Sequence, residues 1–431
     1  MKTRNPFGLL FIISFFIFFV TPITVHADEP AIIVIDPGHG GENLGAQHNG
    51  YTEKEVNLIV AQAMYDELSK YEGVKVYMTR EGDADLSLAE RAEYAAGVNA
   101  DLLISLHFNI SEYHTLFGSE VWISAFGEDY QKGYAAGNVF LEQFELLGTY
   151  RKGVKTRLND NGEDYYGVIR EAHARGVTGM IVEHCYFDHE NDTDFYNTTE
   201  KLQHFGKLDA TAIAKYLGLS SESLGVDYSN YQNAFVELPS SVVKPDLTPP
   251  DICYIELVEA DKEKRTLKIS LSAEDYDSGM LYYSYSLDGG ETFSNLREWP
   301  GADTFQFVVN VPNGITPHIV VNAYNKYDIE AASNEITVDG FPLVSKTESE
   351  TESIIETEIE SETESEETIE TESSTVVLKE VSVSKEETIE QDRSFMTFLK
   401  ISAICLGSLF VLLLIGYSCL GRRRRKRRRK F

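Results

Sequence analysis

From Ala31 onward the chain alternates short apolar runs with longer stretches in which apolar residues recur every three or four positions. The runs Ala31 to Ile35, Val74 to Thr79, Leu102 to Leu106, Glu120 to Ser124 and Thr178 to Val182 read as buried strands. Val56, Ile59, Val60, Met64 and Leu68 mark one helix, and Leu88, Ala92, Ala95 and Ala96 mark another. Asp85 and Ser87 are candidate caps for the second helix, and Glu90 stands where a capping box needs it. This alternation over residues 28–219 predicts an α/β domain, an open twisted and mostly parallel sheet with helices on both faces.

The pattern then changes. Residues 220–250 fade into Ser, Asn, Tyr and Pro and read as a linker. Over 251–340 the period becomes two, as in Leu267-Lys268-Ile269-Ser270-Leu271 and Tyr283-Ser284-Tyr285-Ser286, with Asp288-Gly289-Gly290 as a turn, which predicts a small all-β sandwich. Residues 341–393 are dominated by Glu, Ser and Thr, too few of them apolar to offset chain entropy, and read as an extended disordered stalk. Residues 394–421 carry an apolar run of about the 20 residues a membrane helix needs, and Arg and Lys fill the tail 422–431.

At the other end, Lys2 and Arg4 precede the apolar run Phe7 to Val20 and the small-residue site at Ala27, the order of a signal peptide over residues 1–27. Together the two apolar runs imply a single-pass membrane protein with its body on the extracellular side and its basic tail in the cytoplasm. A nucleic-acid reading of the Arg tract is set aside because the tract abuts a span, where it anchors topology. The net charge is −31 although that tail is strongly basic, so the exterior repels polyanions and nucleic acid is not an expected partner. Of four cysteines, Cys405 and Cys419 fall in the span and Cys185 and Cys253 in different domains, so no disulfide framework follows.

The chemistry gathers at strand ends. His39 sits among glycines directly behind the first strand, His107 ends the Leu102 run, Glu183 ends the Thr178 run, and Glu53 opens the first helix. Carboxyl ends of parallel strands converge on one sheet edge, where ligands bind. Two histidines and a carboxylate are a hydrolytic zinc set with one position left for water. His39, Glu53 and His107 are therefore the candidate ligands of one Zn2+ per catalytic domain, and Glu183 the general base. Arg80 and Arg91 are expected to pair with carboxylates. Asn109, Arg170 and His173 are candidate substrate contacts, while His48, His114, His204 and His318 are read as surface or packing residues.

The stretches DPGHGG, EKEVNL, LAERAEYAAGVNAD, SLHFN, VIRE and MIVE, in this order, resemble the zinc-dependent N-acetylmuramoyl-L-alanine amidases that cut bacterial peptidoglycan. The resemblance covers about residues 31–218. It implies a sheet of six strands, zinc on His39, Glu53 and His107, and catalysis by Glu183. It further implies cleavage of the amide between the muramic acid lactyl group and L-alanine, with peptidoglycan as the partner. The chain departs from the family after Glu183, in His184-Cys185-Tyr186-Phe187-Asp188-His189, which bears on substrate preference; these residues are read as polar packing rather than a second metal site. Some members carry an inhibitory helix after the third ligand. Only Ile110 to Phe117 lies there, too short at about 1.5 Å per residue, so an open site is expected.

The β domain resembles bacterial immunoglobulin-like modules in Asp277-Ser278-Gly279-Met280 and Tyr285-Ser286-Leu287-Asp288-Gly289-Gly290. It is read as a spacer, with wall-polymer binding through exposed Tyr282, Phe293 and Trp299 as the alternative. The alternatives for the whole chain are a peptidoglycan-binding surface protein without activity, and a zinc peptidase cutting within the stem peptide.

Overall fold

A computed structural model of the chain describes residues 29–342. The expected signal segment, nearly all of the stalk, the span and the basic tail lie outside the described residues. Among the described residues no helix is long and apolar enough to cross a membrane.

Six strands form one sheet: β1 Ala31–Pro37, β2 Val74–Met78, β3 Leu102–Asn109, β4 Ser119–Ile123, β5 Arg151–Thr156 and β6 Thr178–Tyr186, in the order β2-β1-β3-β6-β4-β5. All neighbours pair in parallel except β4 with β6. The sheet is thus mixed, and mostly parallel as the apolar runs imply. Helices α1 Glu53–Leu68, α3 Gly127–Leu147, α5 Glu190–Tyr196 and α6 Thr199–Leu217, and on the other side α2 Leu88–Gly97 and α4 Gly167–Ala174, complete the domain. Alternating side chains feed two cores. Ile33, Ile35, Ile104, Leu106 and Val182 pack with α1, α3 and α6, whereas Val34, Leu103 and Ile181 pack with α2 and α4. Helix α2 begins at Ser87, whose hydroxyl accepts from Glu90 N while the Glu90 carboxylate accepts from Ser87 N, a capping box worth about 1 kcal/mol. Ser87 and not Asp85 is the cap.

Strand β5 is absent from the apolar runs of the sequence. Its Lys152 and Lys155 are buried at 1% exposure each, so a strand that reads as polar lies inside the protein. Strands β3 and β6 run three and four residues past their apolar stretches. The continuation pairs His107 with Glu183 and, after a bulge, Asn109 with Tyr186. Residues 110–117 form turns with no helix.

The linker holds a short hairpin, Ser220–Ser221 with Val226–Asp227, and then follows the α/β domain, where Gln131 donates to Val236 O and Thr156 to Val243 O. Beyond it two antiparallel sheets enclose a core of Ile255, Leu267, Ile269, Leu271, Phe307, Val309, Ile319 and Val321. One holds β7 Ile252–Asp261, β8 Thr266–Glu274 and β11 Thr304–Asn310; the other holds β9 Met280–Ser286, β10 Arg297–Glu298, β12 His318–Asn325, β13 Glu330–Ala332 and β14 Ile336–Thr337. This sandwich is packed on the α/β domain rather than held off from it. Tyr282, expected at an exposed surface, is fully buried against Phe117 and donates to its carbonyl, and Tyr150 donates to Leu281 O. Cys185 and Cys253 are free thiols.

Candidate active site

The loop after β1 is built to present His39. Gly38 must be glycine because a Cβ there would lie 2.3 Å from the His107 ring, and Gly45, at φ 70°, would place one 2.4 Å from Glu53 Oε2. His39 itself takes φ 63°, unusual for a residue with a side chain. Two buried guanidinium groups fix the loop. Arg80 donates to the carbonyls of Pro37, Gly38 and Lys54, and Arg91 to those of Pro37 and His39. Arg91 also pairs with Asp36 at 2.6 Å, as expected, whereas the partners of Arg80 are carbonyl oxygens and not the expected carboxylate.

His39, Glu53 and His107 meet: their ligand atoms lie within 4.8 Å of one another, the only such group among the described residues. His39 Nε2 is 3.0 Å from Glu53 Oε2 and His107 Nδ1 is 2.9 Å from Glu53 Oε1. Glu53 is buried at the first position of α1, where the helix dipole favours a carboxylate. Burial alone would raise its pKa, but the two imidazoles outweigh that and hold it well below the usual carboxylate range.

The outer nitrogens settle which ring atoms face inward. Asn43 Oδ1, an acceptor, lies 2.9 Å from His39 Nδ1, so that nitrogen carries a proton, and Nε2, which donates to Glu53 when the imidazole is protonated, is the nitrogen that would turn to a metal once that proton leaves. Ser105 Oγ gives its one proton to Asp36 Oδ2 at 2.7 Å and therefore accepts from His107 Nε2 at 3.0 Å, which leaves Nδ1 as the lone-pair nitrogen. The His107 carbonyl is held in turn by His184 Nδ1 at 2.9 Å, and His184 Nε2 meets the buried Asp209. His184 thus supports the backbone under His107 and takes no part in a second metal group.

Glu183 stands beside His107 in register across β3 and β6, on the same face of the sheet. Its Oε2 is buried without a hydrogen-bond partner. Burial, then the charges of Glu53 and Glu120, raise its pKa well above the ordinary value, against the pull of Lys152. An orphaned carboxylate oxygen beside a nitrogen, oxygen, nitrogen donor set fits a site made for a divalent metal and a water. A cleft of about 300 Å3 opens at His39 and His107, walled by Leu88, Arg91 and Val168. A larger cavity of about 720 Å3, between Tyr130, Val243 and Lys326, contains none of the four.

The other candidates divide. Asn109 donates to Glu120 Oε1 at 2.9 Å, in the charge network next to Glu183. Arg170 lies on α4 rather than at a strand end and donates to the carbonyls of Asp164 and Tyr165. His173 bonds Asp129, which also accepts from Thr178 at the start of β6, the opposite end of that strand from Glu183. Sequence reasoning passed over Asp36, Asn43, Ser105 and Glu120. The signal for Ser105 was its place two residues before His107, on the same face of β3.

A model of the N-acetylmuramoyl-L-alanine amidase family matches residues 33–215. The uncharacterized protein YqiI of Bacillus subtilis is 35% identical over 175 residues, which are 41% of this chain and 79% of YqiI. N-acetylmuramoyl-L-alanine amidase LytC of the same organism is 38% identical over 131 residues, 29% of this chain and 25% of LytC. The structure of Cwp6 from Clostridium difficile aligns with a TM-score of 0.41 and 31% identity, covering 44% of this chain and 29% of Cwp6. The match therefore spans only about a quarter of LytC, while YqiI is matched over most of its length. By the family match over residues 33–215 and the likeness to YqiI over most of its length, the chain belongs to the N-acetylmuramoyl-L-alanine amidase family.

Proposed function

We propose that this protein is a zinc-dependent amidase that hydrolyses the bond between the lactyl group of N-acetylmuramic acid and L-alanine in peptidoglycan. The observation that carries the reading is the unpartnered Glu183 Oε2 beside the His39, Glu53 and His107 set. Zinc held by that set would supply a polarised carbonyl and a water of lowered pKa. His39 and His107 serve by presenting Nε2 and Nδ1, kept in those tautomers by Asn43 and by Ser105 with Asp36. Glu183 takes the proton from the attacking water and delivers it to the alanine nitrogen as the amide bond breaks. Its raised pKa in the metal-free protein suits a group that must hold a proton between those two events. We propose also that residues 394–421 anchor the chain in the cell membrane with the catalytic domain on the cell-wall side, a reading supported by the signal-like segment and the basic tail.

The test is digestion of purified peptidoglycan by the detergent-solubilised full chain, wild type against Glu183→Gln, with products weighed by mass spectrometry. The expected products are intact stem peptides with a free N-terminal alanine, released at least about a hundredfold more slowly by the variant at equal zinc content. Peptides cut internally would point to a peptidase, and equal release by both proteins would remove Glu183 from the reaction.

A further inference from the structure

Behind Glu183 lies a buried charge cluster that the reaction does not use directly. Glu120 pairs with Glu183 across β4 and β6, so the two carboxylates share one face of the sheet. Lys155 Nζ is 2.7 Å and Lys152 Nζ 3.8 Å from Glu120 Oε2, and Lys152 also donates to Tyr186 Oη at 2.8 Å. Burial would raise the pKa of Glu120, but the two lysines outweigh it and hold it at about 2. Both lysine side chains are wholly buried, and within the catalytic domain Glu120 is the one carboxylate paired with them. The second carboxylate comes from the other domain. Asp328, in the turn after β12, lies 3.1 Å from Lys152 Nζ and 3.6 Å from Lys155 Nζ. Its turn is seated on edge strand β5, where Tyr327 Oη accepts from Thr156 N and the Tyr327 ring lies 5.9 Å from Lys155 Nζ. Two ammonium groups removed from water need carboxylate partners; Glu120 and Asp328 are the two within ion-pair distance of them, so the sandwich supplies one of the pair although its turn also brings Lys326 towards Lys155.

We propose that Asp328 is a positioning residue for the amidase site: through Lys152 and Lys155 it fixes the Glu120 carboxylate opposite Glu183, and the β-sandwich is thereby a working part of the catalytic unit. Without Asp328 one ammonium is left over in the interior. The carboxylates that still act on Lys152 are Glu120, already shared, Asp192, held by Gly118 N and Tyr186 N, and Glu183, which would be drawn from its place beside His107. The inference rests on the reaction proposed above for its activity readout. It has a second readout that does not.

The experiment compares four full-length proteins: wild type, Asp328→Asn, Lys155→Met, and the pair. Tyr150→Phe, which removes two hydrogen bonds of the same domain contact, to Leu281 O and from Trp299 N, but no charge, is the control. On soluble muropeptide Asp328→Asn should lower kcat about tenfold or more with KM within about twofold, and the pair should recover most of that loss. Tyr150→Phe should keep wild-type kcat. Thermal unfolding needs no substrate: each single variant should lower Tm, and the pair should lower it by less than the sum. Wild-type kcat in Asp328→Asn, an equal loss in Tyr150→Phe, or a pair no better than Asp328→Asn alone would overturn the proposal. If the wild type is inactive the amidase reading fails, and the unfolding cycle still decides: additive Tm losses overturn the network, and a smaller combined loss supports it.

Discussion

Replacing Ser105 by alanine separates the donor set from the groups that orient it. The hydroxyl is 1% exposed, accepts from His107 Nε2 at 3.0 Å and donates to Asp36 Oδ2 at 2.7 Å. Alanine removes both bonds and adds no bulk. Asp36 keeps Arg91 and Thr79 on Oδ1, so the loop stays anchored; His107 loses the acceptor that holds its proton on Nε2. A buried donor left without its partner costs about 1–3 kcal/mol. Here the ring can relieve that cost by moving its proton to Nδ1, against Glu53, and metal must then restore the original tautomer. At about 1.4 kcal/mol per tenfold, zinc affinity should fall by roughly 5- to 150-fold, a span that brackets the roughly 10- to 100-fold usual for partners of metal-binding histidines. The assay is competition with a chromogenic chelator at neutral pH, with Ser105→Thr, which keeps the hydroxyl, as the comparison. Affinity within about twofold of wild type in a folded Ser105→Ala protein would refute the tautomer argument.

Gly38→Ala should abolish metal binding while leaving a folded domain, because its Cβ would lie 2.3 Å from His107 Cε1; zinc content after gel filtration checks it. Metal affinity should also weaken in acid. Burial lowers the His39 pKa, but the hydrogen bond and charge of Glu53 outweigh it and the result lies above 6.5. In the metal-free protein this pairing stabilises the fold fully below pH 6.5 and is lost as pH rises through the raised value. Metal must displace that proton, so its affinity should decline with falling pH, beginning above 6.5, as chelator titrations over a pH series would show. Asp192, buried where its Oδ2 accepts from Gly118 N and Tyr186 N, is pushed by burial from 3.8 to about 6. Its folded pKa is raised, so it costs stability as pH rises from about 4 to 6; Asp192→Asn should raise Tm at pH 8 by the equivalent of about 1–3 kcal/mol and change little at pH 4.

Much of the site was written in the local pattern. Apolar runs ending in His107 and Glu183, the glycines around His39, and Glu53 at the mouth of an amphipathic helix fix the strands and helices, and a parallel sheet gathers the ends of its strands on one edge. The capping box at Ser87 was legible for the same reason, since its two bonds join residues three apart. The sequence could not disclose β5. Its lysines read as a solvated surface, and they are buried only because Glu120, from β4, and Asp328, from a domain about 170 residues further on, meet them. The exposed place given to Tyr282 failed on the same ground. Burial of a polar side chain depends on which distant segment answers its charge. Local spacing settles which elements form and where their reactive residues fall; the pairing of buried charges, and with it the seat of the second domain, is decided only when the chain has folded and the interior has excluded water.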